Sequence, residues 1–135
     1  MNENSIFSQT ENNRLTVGII GLGYVGLPLA LRFSEERFQV WGFDIETKKV
    51  DDLNNGKSYI KHISNTKIDT MLSAGFIATT NFEKIKNVNV IIICVPTPLG
   101  VHNEPDLSYV HSTLELIKDN LTFEQLLILE STTYP

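Results

Sequence analysis

Residues 15–26 read L-T-V-G-I-I-G-L-G-Y-V-G and decide the fold of this chain. The first six residues are apolar and rich in β-branched side chains, which predicts a buried β-strand. The strand runs into a G-x-G-x-x-G pattern formed by Gly21, Gly23 and Gly26, and residues 24–36 follow with apolar side chains at helical spacing. A strand, a glycine-rich turn and a helix in this order are typical of the first unit of a dinucleotide-binding domain.

Each of the three glycines has its own physical role in such a turn. Gly21 permits the tight turn off the strand, Gly23 lets a diphosphate approach the backbone, and Gly26 lets the helix pack close to the strand. The N–H groups that begin the helix then face the diphosphate, and the helix dipole favours negative charge there. The alternative is a glycine-rich turn that serves packing alone.

Asp44 follows the second predicted strand, residues 39–43, and lies 18 residues after the last glycine of the pattern. A carboxylate at this place accepts hydrogen bonds from the adenosine ribose and repels a 2′-phosphate. The sequence therefore predicts NAD rather than NADP as cofactor. The alternative is that Asp44 caps the following helix, and one carboxylate can serve both purposes.

Strands and helices continue to alternate along the rest of the chain. Further helices are predicted over residues 46–53 and 65–74, the second between an N-cap at Ser64 and a C′ glycine at Gly75. Further strands are predicted at residues 76–79, 89–95 and 126–129. After a cap at Asp106, the 3-4-3-4 spacing of apolar residues predicts one more helix with a buried face of Leu107, Val110, Leu114, Ile117 and Leu121.

This alternation predicts an α/β fold, a Rossmann-type doubly wound parallel sheet of strand order 3-2-1-4-5 that is truncated before the last strand. The strands are continuous apolar runs, as a sheet covered on both faces requires. The fifth strand is expected to be an exposed edge that invites pairing between chains. Residues 1–14 are expected to be a disordered lead-in, and residues 15–135 an incomplete NAD-binding domain.

Composition excludes several classes of function. The chain has 135 residues, 41% of them hydrophobic, and a net charge of −5, which argues for one domain and against a nucleic-acid binder. No apolar run reaches the roughly 18 residues of a membrane span. The only cysteine is Cys94 and the three histidines lack ligand spacing, so no metal site is expected, and the lone thiol fits a cytoplasmic location.

Three further positions are candidates for cofactor contact, each with an alternative. Thr97, in the V-P-T-P segment after the fourth strand, faces the glycine turn across the crevice, or else points to solvent from a rigid turn. Lys49 or its neighbour Lys48 lies beside the adenosine ribose, or else on a solvated helix face. Glu130 ends the fifth strand at the crevice, or else caps the strand. No convincing Lys, His or Cys catalytic set is present, so the residues alone indicate the NAD-binding half of a dehydrogenase.

Five segments together resemble the N-terminal NAD-binding domain of the UDP-glucose/GDP-mannose dehydrogenase family. They are residues 17–44 with G-Y-V-G-L-P, residues 54–60 (N-N-G-K-S-Y-I), residues 90–98 ending in P-T-P, residues 105–107 (P-D-L) and residues 130–135 (E-S-T-T-Y-P). The resemblance runs from residue 15 to residue 135. The segment Y-I-K-H-I at residues 59–63 is more similar to UDP-N-acetylhexosamine 6-dehydrogenases, such as those that act on UDP-N-acetylglucosamine, than to UDP-glucose enzymes.

The resemblance implies an enzyme that oxidises the C6 hydroxyl of a UDP-sugar to a carboxylate with two NAD⁺, in the synthesis of bacterial surface polysaccharides. Full-length members carry a central helical dimerisation region and a nucleotide-sugar domain, so the UDP-sugar substrate and a homodimer are the implied partners. The family's catalytic cysteine, lysine and glutamate have no counterpart before residue 135, and Cys94 does not match the cysteine. The chain alone is therefore expected to be inactive.

The resemblance also assigns roles to individual residues. It places Gly21, Gly23, Tyr24, Val25 and Gly26 on the diphosphate, and Asp44 on the adenosine ribose with Lys49 nearby. It makes Thr97 a cofactor contact, puts Glu130 near the nicotinamide half, and makes Thr133 a residue that positions a catalytic water. Two alternatives remain: another NAD-dependent dehydrogenase of 6-phosphogluconate or hydroxyisobutyrate type, and a free-standing module that senses NAD or NADH.

Overall fold

The computed structural model describes residues 15–130 as one parallel sheet with helices on both faces. The five strands are β1 (Thr16–Ile20), β2 (Gln39–Phe43), β3 (Ile77–Thr79), β4 (Val90–Ile93) and β5 (Leu126–Leu129). Their order is β3-β2-β1-β4-β5, and every pairing is parallel. The predicted fold class and strand order are confirmed. The expected lead-in over residues 1–14 lies outside the described residues.

The helices are α1 (Gly26–Glu35), α2 (Thr47–Asn54), α3 (Asn65–Ser73) and α4 (Ser108–Ile117). Two 3₁₀ segments, Phe82–Asn87 and Lys118–Asn120, add short turns that the sequence did not predict. The Ser64 hydroxyl accepts the Lys67 N–H at the start of α3, which confirms the predicted cap. Gly75 follows α3 with φ +102°, a left-handed conformation that ends the helix at low cost.

Side chains that alternate along the strands divide the core into two layers. Val17 and Ile19 of β1 pack in the layer that also buries residues of α1, α2 and α3. Ile91 and Ile93 of β4 pack in the opposite layer, together with residues of α4 and the first 3₁₀ segment. Both faces of the central strands are therefore covered, which is why these strands read as unbroken apolar runs.

The structure corrects the predicted limits of several elements. The first helix begins at Gly26 and not at residue 24, because Tyr24 and Val25 belong to the turn that leaves β1. β4 ends at Ile93, two residues before its predicted end, because the pairing with β1 and β5 ends there, although Cys94 and Val95 are as buried as strand residues. The other predicted strands and helices differ from the structure by one residue at most, apart from the last helix.

The predicted face of the last helix is wrong at both ends. α4 stops at Ile117 and tightens into a 3₁₀ turn, so the helical spacing no longer places Leu121 against the sheet. Leu121 is 39% exposed, and Leu107, which precedes the first helical residue, is 46% exposed. Asp106 still accepts the Ser108 N–H at 2.9 Å where α4 begins. This hydrogen bond also holds the pKa of the exposed Asp106 carboxyl below its usual value.

Candidate functional site: the cleft at the carboxyl ends of the strands

A cleft of about 660 Å³ lies where the carboxyl ends of β1, β2 and β4 meet. Ligands bind at this edge of a doubly wound sheet, where neighbouring strands lead to helices on opposite faces. The cleft volume lies in the range of small-molecule and cofactor sites. Its walls come from the glycine turn, the end of β2, the start of α2, the first 3₁₀ segment, the segment after β4 and α4. The lining residues are Ile20, Gly21, Leu22, Gly23, Tyr24, Val25, Asp44, Ile45, Glu46, Lys49, Phe82, Cys94, Val95, Pro96, Tyr109, Ser112, Thr113 and Leu116.

The glycine turn has the geometry that its sequence predicts. Gly21 has φ +94°, and a Cβ on it would lie 2.9 Å from the carbonyl oxygen of Cys94. A Cβ on Gly26 would lie 1.7 Å from the carbonyl oxygen of Gly21, so α1 approaches the end of β1 as closely as glycine allows. A Cβ on Gly23 would meet nothing within 4 Å, because this position faces open space.

The turn also presents backbone donors. Within residues 15–130 the structure gives no hydrogen-bond acceptor to the N–H groups of Gly23 and Tyr24. Unpaired N–H groups at the start of a helix, beside a glycine that leaves room for a ligand, form a site for a diphosphate. The open cradle at Gly23 therefore fits the diphosphate of a dinucleotide.

Asp44 lies at the end of β2, 9% exposed, and lines the cleft. Its Oδ2 accepts the Leu22 N–H at 2.8 Å, and its Oδ1 accepts the Glu46 N–H at 2.9 Å. One carboxylate thus ties the glycine turn to the start of α2; the bond at the start of the helix agrees with the predicted capping role, and the bond to Leu22 was not predicted. Each oxygen keeps a further lone pair, so binding of ribose hydroxyls and this structural role are compatible.

Lys49 lies at the edge of the cleft and is held on two sides. Its Nζ lies 3.4 Å from Oε2 of Glu46 and 5.8 Å from the centre of the Tyr59 ring. The side chain is 33% exposed, so it does not belong to a fully solvated helix face. Lys48, in contrast, is 80% exposed and pairs with Asp52.

Cys94 lines the floor of the cleft as a small buried side chain. Burial, with a smaller contribution from the Glu130 carboxylate, raises the pKa of its thiol to about 11. A thiol with so high a pKa carries almost no thiolate near neutral pH and is a poor nucleophile. This agrees with the interpretation of Cys94 as a packing residue.

Two of the remaining predicted site residues, Thr97 and Glu130, are not among the residues that line the cleft. Thr97 is 1% exposed, so it does not point to solvent, and it is not among the residues that line the cleft. The Glu130 N–H donates to the Ile93 carbonyl, which continues the pairing of β5 with β4 by one residue. Glu130 itself is exposed. Thr133 lies outside the described residues. The cofactor and catalytic roles of these three residues stay predictions.

α4 provides a wall of the cleft that was not predicted from the sequence. Tyr109, Ser112, Thr113 and Leu116 line the cleft from this helix. The signal available was topological, because the helix after β4 begins beside the crevice in a 3-2-1-4 order. Tyr59 was missed as well, and its hydroxyl donates to the Leu22 carbonyl.

The part of the chain that the structure describes contains neither a metal-binding cluster nor a membrane-spanning helix. No group of three or more His, Cys, Asp or Glu side chains within residues 15–130 could hold a metal ion. Among the described helices, none has the length and apolar character needed to cross a membrane.

This chain is similar to known nucleotide-sugar dehydrogenases. It is 37% identical over 123 residues to UDP-N-acetyl-D-glucosamine 6-dehydrogenase of Salmonella typhi, and 38% identical over 121 residues to UDP-N-acetyl-D-mannosamine dehydrogenase of Escherichia coli K12. These matches cover 91% and 87% of this chain and 28% of each relative. The chain thus spans less than a third of the length of the curated relatives that it matches.

Solved structures agree with these relatives. The UDP-D-ManNAc dehydrogenase of Pyrococcus horikoshii superimposes with a TM-score of 0.80 at 34% identity, over 87% of this chain and 28% of that one. The GDP-mannose dehydrogenase of Pseudomonas aeruginosa, solved as a ternary complex, gives 0.78 at 29% identity, over 88% and 29%.

The family model that matches describes the NAD binding domain of the UDP-glucose/GDP-mannose dehydrogenase family and covers residues 15–135. The match excludes the alternative of a 6-phosphogluconate or hydroxyisobutyrate type of dehydrogenase, and it confirms NAD as the expected cofactor. This chain belongs to the UDP-glucose/GDP-mannose dehydrogenase family, as its NAD-binding domain.

Proposed function

We propose that the cleft holds NAD with its adenosine ribose on Asp44 and its diphosphate on the glycine turn. The observation that carries the proposal is the Asp44 carboxylate, which lies at the end of β2 within the cleft and is fixed by the N–H groups of Leu22 and Glu46. A carboxylate that is anchored in this way accepts hydrogen bonds from the two ribose hydroxyls without reorganising. It also repels a 2′-phosphate, so NAD binds in preference to NADP.

The other contacts in the proposal follow the geometry of the turn. Gly23 and Tyr24 donate their N–H groups to the diphosphate, while Val25 and Gly26 continue the loop into α1 and Gly21 shapes it. Lys49, at the rim, lends positive charge on the ribose side. Thr97 contacts the cofactor, Glu130 lies near the nicotinamide half, and Thr133 positions a water for the sugar chemistry, as the family resemblance implies.

The test compares NADH and NADPH by calorimetric titration in the wild type and in Asp44→Asn. The asparagine keeps one acceptor oxygen for the turn but loses the charge, so NADH affinity is expected to fall on the order of tenfold or more. The preference over NADPH should shrink with it. Asp51→Asn, which removes a carboxylate from the exposed side of α2, is the matched control and should bind like the wild type. Equal NADH affinity in Asp44→Asn and the wild type would refute the proposed ribose contact.

For the whole protein, we propose a cytoplasmic homodimer that oxidises a UDP-N-acetylhexosamine at C6 to the uronic acid, for a bacterial surface polysaccharide. The support is the identity of 37% and 38% to the two UDP-N-acetylhexosamine dehydrogenases named above. The nucleophile of the sugar chemistry lies outside this chain, because the only cysteine, Cys94, is buried and protonated. This chain with NAD⁺ and UDP-N-acetylglucosamine should form no NADH, and measurable turnover would contradict this part of the proposal.

A further inference from the structure

The Leu22 residue of the glycine turn is held from both sides by side chains distant in sequence. Its N–H donates to Asp44, and its carbonyl oxygen accepts a hydrogen bond from the Tyr59 hydroxyl. Tyr59 lies in the connection between α2 and α3, within the N-N-G-K-S-Y-I segment, and neither the sequence nor the family resemblance gave this tyrosine a role toward the cofactor. We propose that Tyr59 is a positioning residue that aims the Gly23 N–H at the diphosphate, an inference that rests on the proposed NAD site.

The geometry of the peptide group carries the argument. The Leu22 carbonyl and the Gly23 N–H belong to one peptide unit, and in a trans peptide the two bonds point in opposite directions. The Tyr59 hydroxyl therefore fixes the direction of the Gly23 N–H when it fixes the Leu22 carbonyl. Gly23 lines the large cleft, and within residues 15–130 its N–H has no acceptor. Donation to the carbonyl also polarises the peptide, which makes this N–H a stronger donor.

Tyr59 acts from outside the main cleft. It lines a neighbouring cavity of about 280 Å³ and not the 660 Å³ cleft, whereas Gly23 lines both. The tyrosine therefore reaches the ligand through the Leu22–Gly23 peptide and not by direct contact.

The surroundings of Tyr59 keep it in place as a donor. Its ring packs against the core layer of α1, α2 and α3, and Nζ of Lys49 lies 5.8 Å from the ring centre. Burial raises the pKa of the hydroxyl, and the nearby Asp44, Glu46 and Asp52 carboxylates raise it further. The hydroxyl thus remains protonated throughout the neutral range, and the hydrogen bond to Leu22 does not switch with pH.

The experiment compares Tyr59→Phe with the wild type for ligands that contain or lack a diphosphate. Phenylalanine retains the ring and removes the hydroxyl, so NADH and ADP are expected to bind roughly three- to tenfold more weakly. Adenosine, titrated by NMR, should bind within about twofold of the wild type, because the Asp44 contact remains. Thr70→Val removes a comparable hydroxyl-to-carbonyl bond from the exposed side of α3 and should bind all three ligands like the wild type.

The Gly23 amide supplies a second measurement. In the ¹⁵N-labelled wild type, ADP should shift the Gly23 amide resonance and adenosine should leave it in place. In Tyr59→Phe without ligand, the same resonance should move upfield as the peptide loses polarisation. If Tyr59→Phe does not fold, the ADP titration of the wild type still tests the inference. A Gly23 amide resonance that ADP does not shift overturns it.

The outcomes separate this inference from the proposed function. NADH binding that is unchanged in Tyr59→Phe overturns the positioning role and leaves the NAD site standing. An equal loss for adenosine and ADP also overturns it, because the hydroxyl would then support the whole site and not the diphosphate contact. Absence of NADH binding in the wild type overturns both.

Discussion

Gly23 and Gly26 lie three residues apart in one turn, yet glycine is required at the two positions for different reasons. At Gly26 a Cβ would collide with the backbone carbonyl of Gly21, at 1.7 Å. Nothing flexible lies there to move aside, so the requirement concerns folding. At Gly23 a Cβ would occupy open space inside the cleft, so folding does not require glycine there, whereas the proposed diphosphate site does. The glycine pattern predicts a separate reason for each position, and the surroundings of the two glycines differ in the same way.

The two alanine variants should therefore behave in opposite ways. Gly26→Ala is expected to lower the free energy of unfolding by about 3 kcal/mol or more, because the backbone must move. Gly23→Ala should change it by less than about 0.5 kcal/mol but weaken NADH binding at least tenfold, since the methyl group takes the place of the diphosphate. Urea denaturation and calorimetric titration of both variants measure these quantities. A stable Gly26→Ala, or a Gly23→Ala that binds NADH normally, would contradict this account.

Cys94 should be almost inert to alkylation near neutral pH. Its pKa of about 11 lies above the unfolded value of 9.0, so the protonated thiol contributes stability that is complete below pH 9.0 and is lost as the pH rises through 11. The rate of reaction with iodoacetamide should rise along the same range, and the urea-unfolded chain should react at a lower pH.

Glu130→Gln separates the two causes of the raised Cys94 pKa, which are burial and the Glu130 carboxylate. It removes the smaller, electrostatic cause, so the alkylation profile should move modestly to lower pH, while Glu124→Gln should leave it in place. Native Cys94 that reacts as fast as the unfolded chain near neutral pH would show that the thiol is not buried.

Single side chains also join elements that are far apart in sequence. The Gln125 amide donates to the carbonyls of Ile85 and Val88, and its oxygen accepts the Thr122 N–H at 2.8 Å. These bonds tie the start of β5 to the 3₁₀ segment that leads into β4. They fix where β5 enters the sheet, although no pattern in the sequence indicates such a link.

Gln125→Ala should weaken the link between the start of β5 and the 3₁₀ segment. Because the partly buried Val88 carbonyl loses its donor, while the Ile85 carbonyl keeps the Val88 N–H at 3.3 Å, we expect about 1–3 kcal/mol of lost unfolding free energy. Hydrogen exchange should become faster at the β5 amides first, and later at those of β1. Lys61→Ala, at an exposed position, is the control. Uniform exchange throughout the sheet would argue against a local role for Gln125.

At the scale of the whole molecule, the sheet is buried at its centre and exposed at its β5 edge. The central strands are buried on both faces, but at the β5 edge Leu126, Leu127 and Leu129 are 48%, 42% and 49% exposed. β5 pairs only with β4 within residues 15–130. An apolar strand of four residues with one open edge favours pairing with a second copy of the chain.

This chain is therefore expected to self-associate as its concentration rises. Sedimentation velocity should show a growing share of dimers or larger species, and the double substitution Leu127→Lys with Leu129→Lys should suppress them, because charge blocks edge pairing. Ile77→Lys, at the opposite edge on the shorter strand β3, should have little effect. A wild type that stays monomeric at high concentration would contradict the prediction.

The order of strands and helices, the glycine turn and the place of Asp44 all follow from the sequence, because periodicity, φ requirements and capping act among residues close together in the chain. The early end of α4, the cleft wall it provides and the bond from Tyr59 to Leu22, 37 residues apart, do not follow from it. These features depend on how connections and helix ends pack in three dimensions. Burial and hydrogen-bond partners exist only once that packing is formed, so the tertiary structure alone decides them.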